Sequence, residues 1–186
     1  MTDPSTLPYR RNAGIALFNH CGELFLAKRT DLAGNVWQFP QGGIDEDETP
    51  LEAAWREMGE ETGTNDAVLL GSLPEWVRYD LPANLVGQAL GGRYRGQEQK
   101  WFVFGFTGQD SAINLTLQTP PEFSAWRWVK PADVLSGAYD LGFKKELYSQ
   151  IIPQLVQVFE GAAHASDAEA RQWAEKAKAW VAASQG

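Results

Sequence analysis

A short acidic segment in the first third of the chain constrains its fold and chemistry more than any other feature. It begins at the glycine turn around Gly42 and ends at Gly63. Between them, Glu57, Glu60 and Glu61 are spaced i, i+3 and i+4, so a helix would project all three carboxylates from one side. Like charges at this spacing repel one another by roughly 0.2–0.5 kcal/mol per pair. The pattern therefore predicts a divalent cation that neutralises them.

Local chemistry around these glutamates predicts the helix itself. Thr49, Pro50 and Glu52 form a capping box with proline at the first helical position, and Gly63 is placed to end the helix in a left-handed turn. One stripe of this helix is mostly apolar and is expected to face a core. It consists of Leu51, Ala54, Trp55, Met58 and Thr62. The glutamates occupy the adjoining stripe, where we expect them at the edge of the core, lining a cleft.

Arg56 is the one cation of this predicted helix, and we expect it to pair with Glu48 in the preceding turn. That pairing would brace the turn against the helix and leave the glutamates free to bind metal. A solvated acidic face is the simplest alternative, but it would not require glycines, an arginine and glutamates at fixed spacing. A calcium loop over 45–48 is weaker still, because the mid-loop glycine of an EF-hand is missing.

The segment from Gly42 to Thr64 resembles the Nudix box, the sequence pattern of hydrolases that act on a nucleoside diphosphate linked to another group. Thr64 departs from the pattern at a packing position that is normally aliphatic. The resemblance covers roughly residues 8–160 and narrows to RNA pyrophosphohydrolases and the similar dinucleoside polyphosphate hydrolases. The narrower likeness is carried by Tyr9-Arg10, Trp37 to Gly43, Gln97 to Phe102, Pro121 to Phe123 and Phe143 to Lys145.

The resemblance implies an α/β fold, the Nudix α/β/α sandwich, with a mixed sheet and the Nudix helix at the catalytic cleft. The order of elements agrees, because predicted strands and hairpins surround one central helix and precede two further helices over 131–135 and 144–159. Pro153 is expected to kink or split the last of these. The predicted strands cover 14–18, 23–28, 37–39, 67–73, 75–80, 100–107 and 125–129. We predict a Nudix hydrolase domain over 1–160 and a C-terminal helical tail over 161–186.

The tail carries helix signals of its own. Ser166 and Glu169 form a second capping box, and an apolar stripe follows that includes Trp173 and Trp180. One interpretation is that the tail docks both tryptophans on the body of the protein. The other is that they contact a partner or a second subunit, and the sequence leaves the oligomeric state open.

The resemblance also implies roles for single residues. The three helix glutamates would supply oxygen ligands to Mg²⁺, with Mn²⁺ or another divalent cation as a substitute, assisted by the Gly42 carbonyl. Glu122 would add a fourth carboxylate from a distant loop, unless it is an ordinary surface acid. Glu57 or Glu122 would serve as base for the attacking water, unless two or three metal ions activate it instead. The predicted metal ligands are Gly42, Glu57, Glu60, Glu61 and Glu122. The predicted catalytic set is Glu57, Glu60, Glu61, Glu122 and Arg56.

Cations and aromatic residues in the matching segments would hold the substrate. Arg29 and Phe143 would sandwich a base, a mode that suits single-stranded RNA. Tyr79 and Lys100 would reach phosphate oxygens. The predicted substrate-binding set is Arg10, Lys28, Arg29, Tyr79, Lys100, Phe143 and Lys144. For each of these residues, an ordinary surface cation or core aromatic is an equal alternative.

Composition narrows the functional classes. A hydrophobic content of 44%, with eight tryptophans and nine phenylalanines, favours a folded body with a sizeable core. The lone Cys21 excludes an intramolecular disulfide, and no apolar run reaches the ~18 residues of a membrane span, so we expect a cytoplasmic protein without a membrane partner. The net charge of −8 argues against wrapping by DNA or RNA but not against capture of one phosphorylated end.

Three functions follow from these observations. The favoured one, by analogy, removes pyrophosphate from the 5′-triphosphate end of RNA and leaves a monophosphate. The second splits dinucleoside polyphosphates, such as diadenosine tetraphosphate, asymmetrically. The third is a non-catalytic Nudix module that senses a nucleotide, and it is disfavoured because a sensor would tolerate loss of the motif glutamates and none is missing. The expected partner is therefore a triphosphorylated RNA end or a dinucleoside polyphosphate.

Overall fold

The computed structural model describes residues 3–185 and has an eight-stranded mixed sheet at its centre. The strands are β1 (Tyr9–Phe18), β2 (Leu24–Arg29), β3 (Trp37–Gln38), β4 (Gln41–Gly43), β5 (Ala67–Ser72), β6 (Val77–Asp80), β7 (Gly96–Phe106) and β8 (Phe123–Val129). Five of them follow one another in the order β3-β2-β1-β7-β5, while β4 pairs with β1, β6 with β7 and β8 with β2. The central pair, β1 and β7, is parallel, and the other pairs are antiparallel.

Four helices cover the two faces of the sheet. They are α1 (Pro50–Thr62), α2 (Pro131–Leu135), α3 (Lys145–Gly161) and α4 (Ala168–Ser184). Because side chains alternate along a strand, Trp101 of β7 joins the core beneath α3, whereas Phe102 joins the core beneath α1. The predicted α/β/α arrangement is confirmed.

The ends of α1 follow the predicted capping chemistry. The Thr49 side chain accepts a hydrogen bond from the Glu52 amide while the Glu52 side chain accepts one from the Thr49 amide. Gly63 ends the helix with φ of 80°, a left-handed conformation that favours glycine. A Cβ there would also collide with the backbone of Asn114, so the helix end and the loop before β8 lie against each other.

The structure excludes a split of α3 at Pro153 and corrects the predicted start of α4. Pro153 does not split α3, which runs unbroken from Lys145 to Gly161 because buried side chains on both sides of the proline, among them Ile151 and Leu155, hold it to the sheet. The α4 N-cap is Asp167 rather than Ser166, and it accepts a hydrogen bond from the Ala170 amide.

The two tail tryptophans have different environments. Trp173 is 4% exposed and its indole N–H donates to the Phe106 carbonyl, so α4 is packed into the main core. Trp180 is 50% exposed, which corrects the expectation that both rings dock. The division into a domain over 1–160 and a tail over 161–186 stays a prediction, and its residues 1, 2 and 186 lie outside the described residues. No helix within residues 3–185 is long and apolar enough to cross a membrane.

Candidate active site

The glycine turn and α1 are in direct contact. Gly42 and Gly43 belong to the short strand β4, which pairs with β1 beside the helix. A Cβ at Gly42 would overlap the carboxyl group of Glu57, and one at Gly43 would overlap the guanidinium group of Arg10. Glycine is therefore required at both positions for these two side chains to reach the turn.

Arg56 connects the turn with the helix carboxylates. Its Nε and Nη2 donate to the two oxygens of Glu48 at 2.7 and 2.9 Å, as predicted, and Nη2 also donates to the Gly43 carbonyl at 2.9 Å. Its Nη1 lies 2.6 Å from Glu57 and 3.4 Å from Glu60. The expectation that Arg56 leaves the glutamates free is thus wrong, because one guanidinium group reaches the turn and the helix together.

Glu61 is buried, rather than at the edge of the core as its position in the pattern predicts. It is 3% exposed, its Oε2 accepts a hydrogen bond from the Gln41 amide at 3.0 Å, and its Oε1 is buried without a partner. Burial, followed by the nearby carboxylates of Glu122 and Glu57, raises the pKa of Glu61 well above its ordinary value. Burial likewise raises the pKa of Glu57 to about 7, against the lowering effect of Arg56.

Glu122 reaches the same place from a loop that is distant in sequence. Its Oε1 lies 2.8 Å from Nη1 of Arg29, and its backbone carbonyl accepts hydrogen bonds from the amide and hydroxyl of Thr30. The carboxyl group of Glu122 lies close enough to that of Glu61 to contribute to the raised pKa of Glu61. The fourth predicted carboxylate therefore joins the three on α1, and we refer to Glu57, Glu60, Glu61 and Glu122 as the carboxylate cluster.

The donor chemistry of the carboxylate cluster suits a hard divalent cation. Carboxylate oxygens and a backbone carbonyl are the ligands such ions take, and the unpartnered Oε1 of Glu61 is a buried acceptor that a cation would satisfy. Within residues 3–185, no three acidic, histidine or cysteine side chains are arranged so that one ion contacts them all. Arg56 and Arg29 draw Glu57 and Glu122 toward themselves in ion pairs. Shared binding of an ion therefore requires small rotations of these side chains.

A cavity of about 500 Å³ lies beside the carboxylate cluster. Arg29, Tyr79, Phe143 and Lys144 line it together, and the rings of Tyr79 and Phe143 are 6.0 Å apart. Phe143 is 42% exposed, so its ring is available for stacking. One wall is apolar and comes from the long segment before β7, which the sequence patterns did not assign to any site. That wall consists of Leu81, Leu85, Ala89 and Leu90. We call this space the Arg29–Phe143 cavity.

Lys144 is the most buried cation of the site. It is 6% exposed, and its Nζ donates to the side-chain oxygens of Gln41 at 2.8 Å and Gln38 at 3.3 Å. Burial, followed by repulsion from Arg29, lowers the pKa of Lys144 to about 7. Burial disfavours the charged form of Lys144, and its hydrogen-bond partners are neutral amides. Lys144 is therefore suited to binding an anionic ligand in the cavity.

The remaining predicted substrate-binding residues do not line the Arg29–Phe143 cavity. Arg10 packs on Gly43 at the turn, and Lys28 pairs across the sheet with Trp37; neither lines the Arg29–Phe143 cavity. Lys100 points away from that cavity, because its Nζ donates to the carbonyls of Leu73 and Pro74 on the other side of β7. Alternation along β7 accounts for this, because Gln97 lines the cavity and Lys100, three residues on, faces the other side of the sheet.

One further polar residue touches the cluster without having been singled out in the sequence. Gln118, in the loop between β7 and β8, donates through Nε2 to Oε2 of Glu60 at 3.0 Å. No periodicity or motif marks it, because the loop has no regular structure around this position.

Fold and site together define an α/β protein with an acidic helix and a glycine turn at one end of a mixed sheet. The NUDIX domain model matches residues 8–151, and the chain belongs to the Nudix family. Members of this family depend on divalent cations.

Curated relatives resemble the chain over most of its length. It is 59% identical to the RNA pyrophosphohydrolase of Gluconobacter oxydans over 96% of this chain and 100% of that protein. It is 53% identical to the RNA pyrophosphohydrolase of Gluconacetobacter diazotrophicus, over 82% of this chain and 94% of the relative. A third protein of the same name, from Rhodospirillum rubrum, is 52% identical over 80% of this chain and 88% of its own length.

Solved structures share the fold at low sequence identity. The E. coli dihydroneopterin triphosphate pyrophosphohydrolase superposes with a TM-score of 0.61 at 18% identity, covering 81% of this chain and 98% of that protein. The C. elegans Ap4A hydrolase, in a binary complex, superposes with a TM-score of 0.56 at 17% identity, over 81% of this chain and 98% of its own. These likenesses establish the Nudix architecture independently of the sequence motif.

Proposed function

We propose that this chain removes pyrophosphate from the 5′-triphosphate end of RNA, leaving a 5′-monophosphate. Water cleaves the bond between the α- and β-phosphates, and pyrophosphate leaves. The observation that carries the proposal is the carboxylate cluster with its buried, unpartnered Glu61 oxygen, which adjoins the Arg29–Phe143 cavity through Arg29 and Gln41. The RNA substrate is further supported by relatives of that name, the first of which aligns over 96% of this chain.

Glu57, Glu60, Glu61 and Glu122 would hold Mg²⁺, with Mn²⁺ or another divalent cation as a substitute, and the Gly42 carbonyl would complete the ligand set. When bound, such an ion neutralises phosphate charge and polarises the P–O bond. Arg56 has a separate role, since its bonds to Glu48 and Gly43 keep the turn against the helix. The base that accepts the proton of the attacking water is Glu57 or Glu122.

The Arg29–Phe143 cavity would hold a base near the 5′ end. The Phe143 ring and the Arg29 guanidinium group line the same space, which suits stacking on the two faces of an unpaired base. Lys144, which is bonded to Gln41 of the turn, and Tyr79 line the polar side of this cavity and would contact the phosphates. Arg10, at Gly43, adds a cation on the other side of the turn.

The remaining parts of the proposal concern location and partners. We place the protein in the cytoplasm, with no DNA or membrane partner, consistent with its net charge of −8. The half-exposed Trp180 ring is where a partner or second subunit would contact the tail. Sedimentation of wild type and W180A at several concentrations tests that contact, and identical monomeric profiles for both would remove it.

The competing substrate is a dinucleoside polyphosphate, and one assay separates the two. Triphosphorylated RNA of about ten nucleotides and diadenosine tetraphosphate are compared with Mg²⁺ in the same buffer, by measuring kcat/KM for each. We expect RNA to have the larger specificity constant, with pyrophosphate as the released product. A larger constant for diadenosine tetraphosphate would replace the RNA proposal, and turnover of neither would leave the sensor interpretation.

A further inference from the structure

We infer that Gln118 is a positioning residue, which sets the orientation of the Glu60 carboxylate for cation binding. The inference rests on the proposed metal role of Glu60. It concerns a side chain that lies neither on α1 nor in the glycine turn, and that touches the cluster through a single bond.

The bond to Gln118 is the shorter of the two that Glu60 makes. Gln118 Nε2 lies 3.0 Å from Oε2 of Glu60, whereas the Arg56 Nη1 contact to the same oxygen is 3.4 Å. The shorter hydrogen bonds of Arg56, at 2.6 to 2.9 Å, are donated to Glu48, Glu57 and the Gly43 carbonyl. The orientation of Glu60 is therefore fixed chiefly by the amide of Gln118.

Both donors bind the same oxygen of Glu60, and this has a chemical consequence. With Oε2 occupied by Gln118 and Arg56, no protein donor within the described residues contacts Oε1. An outer hydrogen bond to one oxygen of a carboxylate orients the other and restricts its rotation, as is common for metal-ligating carboxylates. Glu60 is 38% exposed at its side chain, so without this bond it would rotate in solvent.

The loop that carries Gln118 is itself fixed at three places. Near its start, the Asn114 amide donates to the Thr62 carbonyl at 2.8 Å, at the end of α1. Near its end, the Thr30 hydroxyl donates to the Pro121 carbonyl at 2.8 Å, and Glu122 pairs with Arg29. Gln118 lies between these anchors and supplies the third contact.

The anchored loop supplies two residues to the carboxylate cluster. The same segment delivers Glu122 to Glu61 and Gln118 to Glu60, so two of the four carboxylates depend on its position. Gln118 is the neutral member of the pair: it adds a donor without adding a fifth negative charge. A leucine at this position would keep the approximate volume and lose only the hydrogen bond.

The test is binding of Mn²⁺ alone, measured by electron paramagnetic resonance, for wild type, Q118L, E60Q and the control Q154L. Gln154 is a matched control, since it also makes one side-chain hydrogen bond, to the Gln150 carbonyl on α3, away from the cluster. We expect Q118L to bind Mn²⁺ about tenfold more weakly, as for other outer-shell partners, with an unchanged Tm. Q154L should bind as wild type does.

A second variant, with a shorter side chain at position 118, tests whether packing explains the effect of Q118L. Q118N retains the amide but its side chain is one methylene shorter, so the amide should no longer reach Glu60. We therefore expect Q118N to bind Mn²⁺ as weakly as Q118L does. A Mn²⁺ affinity equal to wild type in Q118N would contradict the role of the hydrogen bond to Glu60. Equal affinity in Q118L and wild type, with E60Q weakened, overturns the role of Gln118 while the metal assignment stands. Equal affinity in all four proteins overturns both.

Discussion

The carboxylate cluster and the Arg29–Phe143 cavity lie side by side but are assembled in different ways. Three of the four carboxylates come from consecutive turns of one helix, and the fourth is held by Arg29. The cavity takes its lining from β2 and the loop after it, the glycine turn, β6, the segment before β7 and the residues just before α3. One region is therefore fixed by helix geometry, and the other by how distant segments pack.

This difference in construction predicts a difference in function. Carboxylates concentrated on one helix are suited to holding a cation that would neutralise the reacting phosphates, whereas a cavity with a half-exposed ring and an aliphatic wall is suited to holding a base. Substitutions in the cluster should therefore lower kcat, and substitutions in the cavity should raise KM.

The largest effect is expected for E61Q. Glutamine keeps the shape of the side chain but removes the charge that would bind the cation, so kcat for triphosphorylated RNA should fall by about two orders of magnitude or more. The Tm should be unchanged or higher, because the charged carboxylate is the form that burial disfavours. Stopped-time assays and thermal unfolding check both statements, and near-normal turnover would reject the metal-site assignment.

A smaller effect on the same region is expected for G42A. The added methyl group overlaps the Glu57 carboxyl group, so we expect about 1–3 kcal/mol loss in the free energy of unfolding, together with a lower kcat. Gly161 offers a matched control, because it has helical φ of −75° and nothing within 4 Å of an added Cβ. Denaturant unfolding measures the stability of both variants. If G42A were as stable as G161A, the close packing of turn and helix would be contradicted.

In the cavity, F143A should raise KM for RNA about tenfold with little change in kcat, since stacking of a base on an aromatic ring contributes roughly 1–3 kcal/mol. Stability should change little because the ring is 42% exposed. Steady-state kinetics with W180A as a control for an exposed aromatic ring measure the effect. An unchanged KM in F143A would remove Phe143 from the binding site.

The smallest effect is expected for L85A in the aliphatic wall. Leu85 is partly exposed, so its loss should raise KM by about threefold, less than full burial of a leucine would imply. Leu135, exposed on α2 outside the cavity, provides the comparison variant L135A. If L85A instead lowered kcat and left KM unchanged, the separation between the two regions would not hold.

The acidic helix could be predicted from sequence because its determinants are local. Thr49, Glu52 and Gly63 are near neighbours of the residues they cap, and the side shared by the glutamates follows from helical spacing alone. The burial of Glu61 could not be predicted in the same way. It depends on the Gln41 amide, which the pairing of β4 with β1 brings over the helix.

Less of the Arg29–Phe143 cavity could be predicted from the sequence. Arg29 and Phe143 were found through a family resemblance, but the leucine wall has no periodicity that would mark it. The sequence predicts the strand that carries Lys100, but the side of the sheet that Lys100 faces depends on the pairing of β7 with β6 and β1. Gln118 was missed because irregular loops carry no spacing from which a contact can be inferred.

The most direct test of the account is the product formed from 5′-triphosphorylated RNA by wild type and E61Q with Mg²⁺, followed by chromatography of the RNA and by pyrophosphate detection. The proposed reaction yields equimolar pyrophosphate and 5′-monophosphorylated RNA from wild type, and neither product from E61Q on the same timescale. Wild-type protein that releases no pyrophosphate, or E61Q that releases it at the wild-type rate, would contradict it.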